Sequence, residues 1–394
     1  MADEKPEKLL IRGARLVLPG AVVEGEDLLV EGGRIARLGQ VPDAEARVLD
    51  LSGLTVYPGF VDVHIHGAVG VDALEATADD LHRVALFLAG EGVTSWLPTL
   101  VPAPEGDYRR AVLSIERLMA EQDERPAAAS ALGVHYEGPF VNERQCGALR
   151  TRYFRRYDGP HSLEGLATLA REGAAHMTTL APEVEGGVEL IQELVRRGWV
   201  VSVGHTRAHV ELLERARAAG ARHMTHFLNA MPQLHHREPG PVGWGLLADD
   251  VTVDLIADGV HSDPLMLRLV LRCKTPDRIS LISDAVAPAG LGDGEFAVWG
   301  ETIRVEGGRT SNERGSIAGS VATLAAAARM VLALGASETD IARMASLNPA
   351  RLLGLDHDRG SIEQGKRADL TALDAEGRVR LTLVGGRVAH DGGR

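Results

Sequence analysis

The sequence predicts an α/β fold, a (β/α)8 barrel of the TIM type joined to a small β-sandwich domain built from both chain termini. Three observations predict it. Apolar strand candidates alternate with helix-like stretches through the middle of the 394-residue chain. Both ends are instead rich in short strands and turns, and polar residues stand where the strands of the middle region end. A chain of this length can hold one large domain or two.

The two ends of the chain have the same local pattern. Near the N-terminus, β-rich runs at 9–12, 15–18 and 27–30 precede the turn signal of residues 31–34. Similar runs return near the C-terminus, at 368–373, 381–384 and 385–388. We therefore expect residues 1–57 and 356–394 to form one small β domain beside a barrel domain of residues 58–355.

The middle of the chain supplies the eight strands that a barrel needs. The candidates lie around 61–66, 93–97, 131–137, 177–181, 200–204, 222–227, 251–257 and 278–283. The stretches between them have helical composition, for example at 81–88 and 190–195. The alternative is a doubly wound sheet, which normally carries a glycine-rich phosphate loop after its first strand. This chain has two histidines there, which favours the barrel.

Three further elements are expected after the eighth strand. Residues 295–315 are rich in Gly, Val and Thr and predict an inserted β excursion. An alanine-rich helix is predicted over 320–334, and a last short helix over 348–354.

The first barrel strand ends in His64 and His66, which are one residue apart. Side chains alternate faces along a strand, so both imidazoles project to the same side. Two imidazoles side by side at the end of an apolar strand suit a divalent metal. A pair of hydrogen-bonded core histidines is the alternative for any isolated His-x-His.

Four more polar residues end later strands, namely Glu137, His205, His226 and Asp284. The active site of such a barrel lies at the carboxyl ends of its strands, so these groups should converge with the two histidines. Imidazole with carboxylate suits zinc, iron or manganese, and ligand type alone does not choose among them. If one histidine pair binds one metal and the second pair another, Glu137 is placed to bridge them. Asp284 is our candidate to take a proton from water and pass it to a leaving amine.

Composition excludes several classes of function. The net charge of −13 argues against nucleic-acid binding, and an aromatic content of 4% argues against stacking platforms for single strands. No apolar run is long enough to span a bilayer and no signal-peptide pattern is present, so we expect no membrane association. Two cysteines give no disulfide framework and fit a reducing cytoplasm.

At these residues the sequence resembles the amidohydrolase superfamily and, within it, the N-acetylglucosamine-6-phosphate deacetylases. Glu137 stands where many amidohydrolases use a carboxylated lysine as the bridge, and Glu-Gly-Pro with Asn-Ala-Met is characteristic of the deacetylases. The resemblance covers nearly the whole chain. Its specific parts are the segments at 58–67, 137–140, 204–206, 225–231, 237–240, 256–261, 284–285 and 318–320.

The resemblance implies metal-dependent hydrolysis of the acetamide of an amino-sugar phosphate, giving acetate and a 6-phosphosugar amine. Glu137, His205 and His226 are implied to hold the catalytic metal, and Asp284 to be the general base and acid. Having both His64 and His66 indicates the two-metal form, with zinc expected before iron or manganese. The implied substrate contacts are His261 at the sugar, Asn229, Ala230 and Arg237 at the phosphate, and Ala148, Ala318, Gly319 and Ser320 along the substrate. Arg237 is expected to enter from the second subunit of a homodimer.

One position departs from the family. Its loop after the glutamate usually ends in Gly-Ala-His or Gly-Thr-His, whose histidine reaches the substrate, but here Leu149 follows Gly147 and Ala148. Arg150 and the arginines that follow it could replace the lost donor, or they could belong to a solvated loop. Two other functions stay open: deacetylation of another N-acetylhexosamine phosphate or N-acyl amine, and a non-catalytic scaffold of the same fold.

Overall fold

The computed structural model describes residues 8–42 and 45–393. Its strands in chain order are β1 (Leu9–Arg12), β2 (Arg15–Val17), β3 (Val22–Val23), β4 (Asp27–Glu31), β5 (Arg34–Gly39), β6 (Arg47–Asp50), β7 (Thr55–Pro58), β8 (Phe60–Ile65), β9 (Gly67–Ala68), β10 (Val71–Asp72), β11 (Val93–Leu100), β12 (Ser130–Ala131), β13 (Gly133–Glu137), β14 (Ala175–Leu180), β15 (Val200–Val203), β16 (His223–Met224), β17 (Thr252–Ile256), β18 (Ile279–Ile282), β19 (Gly294–Val298), β20 (Glu301–Glu306), β21 (Arg309–Ser311), β22 (Leu370–Leu373), β23 (Val379–Val384) and β24 (Arg387–Asp391).

The α-helices are α1 (Ala78–Gly90), α2 (Glu105–Glu121), α3 (Gly187–Arg196), α4 (Val210–Ala218), α5 (Gly240–Leu247), α6 (Pro264–Cys273), α7 (Leu324–Ala333), α8 (Glu338–Ala342) and α9 (Asn348–Leu352). Short 3-10 turns lie at Glu143–Gln145, Thr151–Tyr153, Pro160–Leu163 and Pro276–Arg278, and a π-helical turn at Arg343–Leu347 joins α8 to α9. No helix in the described part of the chain is long and apolar enough to cross a membrane.

The predicted barrel is confirmed. Parallel pairing runs in the order β8, β11, β13, β14, β15, β16, β17, β18, so each of the eight strand candidates occupies a place in the barrel. Backbone bonds join the ends of β18 and β8: Asp284 N–H donates to His64 O (2.9 Å), and Ala285 O accepts from the N–H groups of His66 (2.8 Å) and Gly67 (3.1 Å). Lower in the same seam, the buried Asp62 carboxylate accepts from the backbone N–H groups of His64 and Ser283, each at 3.3 Å.

The helices around the barrel form where the sequence supplies both a cap and an apolar face. Thr77 and Asp80 make a capping box at the start of α1. Leu81, Val84, Ala85 and Leu88 follow at helical spacing, and all four are buried against the barrel.

The sandwich of both termini is also confirmed. One sheet has the order β5-β4-β1-β6 and the other the order β24-β23-β22-β7-β2-β3, so N- and C-terminal strands pair directly. Along β4 the burial alternates, with Leu28 and Val30 inside. They belong to one buried cluster with Leu16, Leu370 and Leu383 of the second sheet.

After the last barrel strand, the predicted β excursion is present, but the helix predicted over 320–334 begins later than expected. The β excursion is present as the antiparallel sheet β19-β20-β21. Helix α7 begins at Leu324, later than the predicted residue 320, because the Thr323 side chain caps it by accepting from Ala326 N–H. Ser320 instead pairs with Ala285 in a parallel β-bridge, which ties this segment to the end of β18.

Candidate metal centre and active site

His64 and His66 point into the barrel mouth, as predicted for residues one apart on a strand. Both are buried, and their Nε2 atoms lie 3.2 Å apart. The His66 ring is held from behind, since its Nδ1 lies 3.2 Å from the carbonyl oxygen of Thr99 on β11.

Glu137, at the end of β13, lies between two histidine pairs. Its Oε1 is 2.9 Å from His205 Nε2 and 3.0 Å from His226 Nε2. On the other side, Oε1 is 3.5 Å from His64 Nε2 and Oε2 is 3.4 Å from His66 Nε2. The five residues therefore form two groups of three possible metal ligands, one with His64 and His66 and one with His205 and His226, and Glu137 belongs to both. In each group the ligand atoms lie within 4.8 Å of one another.

Three residues of the metal-ligand and proton-transfer cluster have a left-handed backbone. The φ angles are +47° at His205, +31° at His226 and +50° at Asp284. This conformation costs a non-glycine residue about 1–2 kcal/mol. It occurs here directly after strands β15, β16 and β18 and turns the side chains inward at the mouth, as strained residues often do at functional sites.

Within the cluster, burial and the neighbouring side chains shift the pKa values of Glu137 and His66 in opposite directions. Burial alone would raise the pKa of the Glu137 carboxyl, but its interaction with the His205 ring holds it well below its ordinary value. Burial lowers the pKa of His64 far below 6.5. Burial would also lower the pKa of His66, but its hydrogen bonds to Asp284 and Glu137 raise it to about 10. A buried carboxylate is thus kept ionised by the rings around it.

Asp284 lies on the open side of this cluster. Its Oδ1 is 3.4 Å from His64 Nε2 and 3.3 Å from His66 Nε2. Its carbonyl oxygen accepts from Ser320 N–H at 2.7 Å. Gly319 has φ +59°, and a Cβ there would come within 2.9 Å of Asp284 O and 2.4 Å of Val286 Cγ1. A glycine is therefore required for this chain segment to pack against Asp284.

The donor set fits divalent metal ions. Four imidazole Nε2 atoms and one carboxylate converge without a lysine or arginine among the described residues that line the cleft. Histidine with carboxylate is the ligand chemistry of zinc, iron and manganese. In metal sites the second ring nitrogen of a ligand generally bonds to the protein. His205 follows this pattern, because its Nδ1 lies 2.6 Å from the carbonyl oxygen of Gln145.

A carboxylate beyond strand β14 braces His205. Glu183 Oε2 accepts from the Thr206 hydroxyl at 2.6 Å, and Oε1 accepts from Arg207 N–H at 2.6 Å and from Asn142 Nδ2 at 2.8 Å. Asn142 N–H in turn donates to His205 O at 3.0 Å. Glu183 thereby joins the loop that carries the metal-ligand candidate to the loop that leads to Ala148 and Leu149.

His135 lies beneath the cluster. Its Nδ1 donates to Val63 O at 2.9 Å and its Nε2 accepts from the Thr179 hydroxyl at 2.8 Å, while the ring packs edge-on against His64 at 4.7 Å. Burial lowers the pKa of His135 to about 3. A neutral ring in this position supports His64 without adding charge.

A cleft of about 320 Å³ opens above these groups, and most of the predicted site residues line it. It is lined by His66, Glu137, Gly147, Ala148, Leu149, His205, His226, Asn229, Ala230, His261, Asp284, Trp299, Ser316, Ile317 and Gly319. The Nδ1 of His261 lies 2.7 Å from Asp258 Oδ2, which leaves Nε2 free to act at the cleft. His64 lies below, with no exposed surface.

Three predicted substrate residues do not line the cleft. Ala318 and Ser320 are buried on either side of Gly319, and the Ser320 hydroxyl donates to Ser283 O. Arg237 is exposed, and its Nη1 lies 2.8 Å from Nε2 of its neighbour His236.

The contacts of Arg150 bear on the two alternatives for it, a substrate donor or part of a solvated loop. Its guanidinium lies over the Tyr153 ring at 4.9 Å and donates to Pro102 O at 3.2 Å. Leu149, in contrast, is among the residues that line the cleft. Arg150 therefore does not replace the missing histidine in this conformation.

Sequence reasoning missed four contributors. Trp299, Ile317 and Ser316 reach the cleft from the β excursion and the segment after it, and Glu183 braces His205. The sequence carries a signal for Glu183, because it stands three residues after barrel strand β14, in Ala181-Pro182-Glu183. Trp299 stands before Gly300 in a turn and carries no comparable signal.

Comparison with protein-family models finds the amidohydrolase family over residues 55–389. The chain is 34% identical over 389 residues to the N-acetylglucosamine-6-phosphate deacetylase of Bacillus subtilis (strain 168), covering 97% of each chain. It is also 34% identical over 381 residues to the N-acetylgalactosamine-6-phosphate deacetylase of Escherichia coli O157:H7, covering 96% of this chain and 99% of that one.

Solved structures agree with the sequence comparison. The crystal structure of N-acetylglucosamine-6-phosphate deacetylase from Thermotoga maritima matches with a TM-score of 0.86 and 34% identity, covering 97% of this chain and 99% of that chain. The Mycobacterium smegmatis enzyme, a mutant in complex with N-acetyl-D-glucosamine-6-phosphate, matches with a TM-score of 0.87 and 32% identity, covering 98% and 99%.

Proposed function

The chain belongs to the amidohydrolase family, and we propose that it hydrolyses the N-acetyl group of N-acetylglucosamine-6-phosphate, giving glucosamine-6-phosphate and acetate. The observation that carries this proposal is the convergence of two three-ligand groups on Glu137, with Asp284 3.3–3.4 Å from two of the histidines. A non-catalytic scaffold would have no need of this set of buried, mutually constrained polar groups.

One or two divalent metals, with zinc as the first candidate and iron or manganese as alternatives, would be held by His64, His66, Glu137, His205 and His226. A metal with an open coordination position makes a bound water acidic and polarises an amide carbonyl. Glu137 would act as the shared ligand, because its carboxylate lies within reach of both histidine pairs.

Asp284 would carry the proton in this reaction. It accepts a proton from the attacking water and then donates it to the leaving nitrogen, so that an amine departs in place of an amide anion. Its backbone is fixed by Ser320 and His64, which holds the carboxylate over the cluster through both transfers.

The rest of the cleft would bind the sugar and its phosphate. His261, oriented by Asp258, would contact the sugar, and Asn229, Ala230, Ala148 and Gly319 would line it. Among the described residues that line the cleft there is no lysine or arginine to meet a phosphate. We therefore propose that Arg237 supplies this charge from the second subunit of a homodimer.

Ala318 and Ser320 would act behind Gly319, by fixing its backbone against Asp284. We keep the proposed division into a β domain of residues 1–57 and 356–394 and a barrel of residues 58–355, and a cytoplasmic location. Relatives include deacetylases of both N-acetylglucosamine-6-phosphate and N-acetylgalactosamine-6-phosphate. The preferred epimer of the sugar is therefore to be measured by assay.

The test is an assay of amine release from metal-loaded protein, with equal concentrations of N-acetylglucosamine-6-phosphate, its galactosamine epimer and plain N-acetylglucosamine. We expect strong preference for a phosphorylated sugar, with the glucosamine form fastest. Equal rates with and without phosphate, or no amine from any of the three, would contradict the proposal.

A further inference from the structure

Trp299 occupies a turn position whose backbone conformation disfavours a large aromatic residue. It forms with Gly300 a two-residue turn between β19 and β20, and its φ is +56°, followed by +77° at Gly300. Two-residue hairpin turns with positive φ at both positions favour Asn-Gly. A large aromatic residue at the first position is disfavoured by the backbone, so its side chain is the feature to explain.

The indole is fixed at the barrel mouth. Trp299 is only 8% exposed and lines the cleft. Its Nε1–H donates to Asp72 Oδ2 at 2.7 Å, and Asp72 is itself held because its Oδ1 accepts from Leu74 N–H at 3.0 Å. The ring packs edge-on against His66, with centroids 5.4 Å apart and an interplanar angle of 83°.

This position is next to the proposed reacting centre. His66, the ring that Trp299 contacts, lies 3.3 Å from Asp284 and 3.4 Å from Glu137. Leu149 and Ile317 give the same cleft two further apolar side chains. The loop of Leu149 and the segment after the hairpin are in contact, since Arg314 Nη2 donates to Ala148 O at 3.3 Å.

We propose that Trp299 is a specificity-determining residue that limits the acyl group of the substrate to a short chain. This inference rests on the proposed deacetylase function. The scissile carbonyl must lie over the cluster beside Asp284, with the sugar directed toward Asn229 and His261. The substituent on the far side of the carbonyl then faces His66 and the Trp299 ring, whose bulk leaves room for a methyl group and excludes a longer chain.

The test compares kcat/KM for N-acetyl- and N-butyryl-glucosamine-6-phosphate in wild-type protein and in Trp299→Asn. Asparagine suits the positive φ, so the variant removes the ring without straining the turn. Each methylene in a tightly fitting pocket changes discrimination by 10–200-fold. We expect wild type to prefer acetyl strongly and the acetyl-to-butyryl ratio to fall by roughly tenfold or more in the variant.

Two further variants complete the test. Trp299→Gly, which carries no strain at positive φ, should relax the ratio as the asparagine does. Trp299→Phe retains aromatic bulk but loses the bond to Asp72, and it should keep a ratio close to that of wild type.

An unchanged ratio in both Trp299→Asn and Trp299→Gly would overturn the inference. So would a rise in KM by the same factor for both substrates, which would mean that the ring stacks on the sugar. These results differ from a failure of the proposed function, in which wild-type protein would release no amine from either substrate.

Discussion

Oε1 of Glu137 lies 2.9 Å from Nε2 of His205. The second oxygen of the same carboxylate faces the other histidine pair, on the first barrel strand. The Glu137 side chain thus belongs to both groups of candidate metal ligands. Because the two metal positions share this ligand, metal binding at one should affect metal binding at the other.

Replacing Glu137 should affect both metal positions. We expect Glu137→Gln to lower bound metal to well below one ion per chain, because an amide removes the shared negative charge from both groups. His205→Ala is the matched comparison, since it leaves His64, His66 and Glu137 intact and should keep one ion. Metal analysis after dialysis measures both variants. Equal metal loss in the two would contradict the shared-ligand arrangement.

Asp284→Asn should separate catalysis from binding. The amide keeps the shape of the side chain but cannot accept and return a proton, so kcat should fall by roughly 10²–10⁴-fold. Metal content and KM should stay near the wild-type values. A variant that retains most of its kcat would exclude Asp284 as the proton carrier.

Glu183 should act through His205 and not through the substrate. In Glu183→Ala the Thr206 hydroxyl, Arg207 N–H and the Asn142 amide all lose their acceptor. We expect a loss of roughly 10–100-fold in metal affinity or activity, as for other residues that orient ligands. Added zinc should recover part of the activity.

The control for this experiment is Glu185→Ala, in the same loop. Glu185 is exposed and pairs with the exposed Arg156 at 3.3 Å, so its replacement should leave metal affinity unchanged. If the two variants bind zinc alike, the bracing role of Glu183 is wrong.

Asp258 gives a prediction that depends on pH. Burial would raise the pKa of its carboxyl, but the hydrogen bond and charge of His261 hold it below 3.8. A carboxyl whose pKa is lower in the folded state stabilises the fold fully above its unfolded pKa, and this stabilisation is lost as pH falls through the folded pKa.

Asp258→Asn should therefore cost about 1.5–3 kcal/mol of unfolding free energy at pH 7. The difference from wild type should shrink below about pH 4, as the carboxyl of the folded protein takes up its proton. Urea unfolding at several pH values measures it. A difference that stays constant down to pH 2 would contradict the ionised Asp258. The variant should also lose activity, because an amide has one acceptor oxygen in place of the two that hold His261 Nδ1 and the backbone N–H groups of Val260 and His261.

Local patterns predicted most of this fold. Barrel strands are buried on both faces, so their sequences are continuous apolar runs. Such runs, separated by amphipathic helices, are readily identified in the sequence. The polar residues that end them were found for the same reason: Glu137, His205, His226 and Asp284 each interrupt an apolar run. The start of α7 was missed by four residues, since Ser320 pairs with Ala285 and only Thr323 can cap the helix.

Contacts between distant loops could not be predicted in this way. The sequence leaves open whether Arg150 meets the substrate, and the contacts of its guanidinium with the Tyr153 ring and Pro102 O join residues that no local pattern relates. Trp299 reaches His66 across more than 230 positions of sequence, through a hairpin whose own pattern indicates only a turn. Glu183 has partners in two loops that no periodicity relates.

The most direct test of the account is to strip the protein of metal with a chelator and restore zinc stepwise. Hydrolysis of N-acetylglucosamine-6-phosphate is followed at each step. We predict negligible activity in the stripped protein, a rise in proportion to bound zinc, and a plateau near two ions per chain. Hydrolysis by the stripped protein at the rate of the reloaded one would contradict the metal-dependent mechanism.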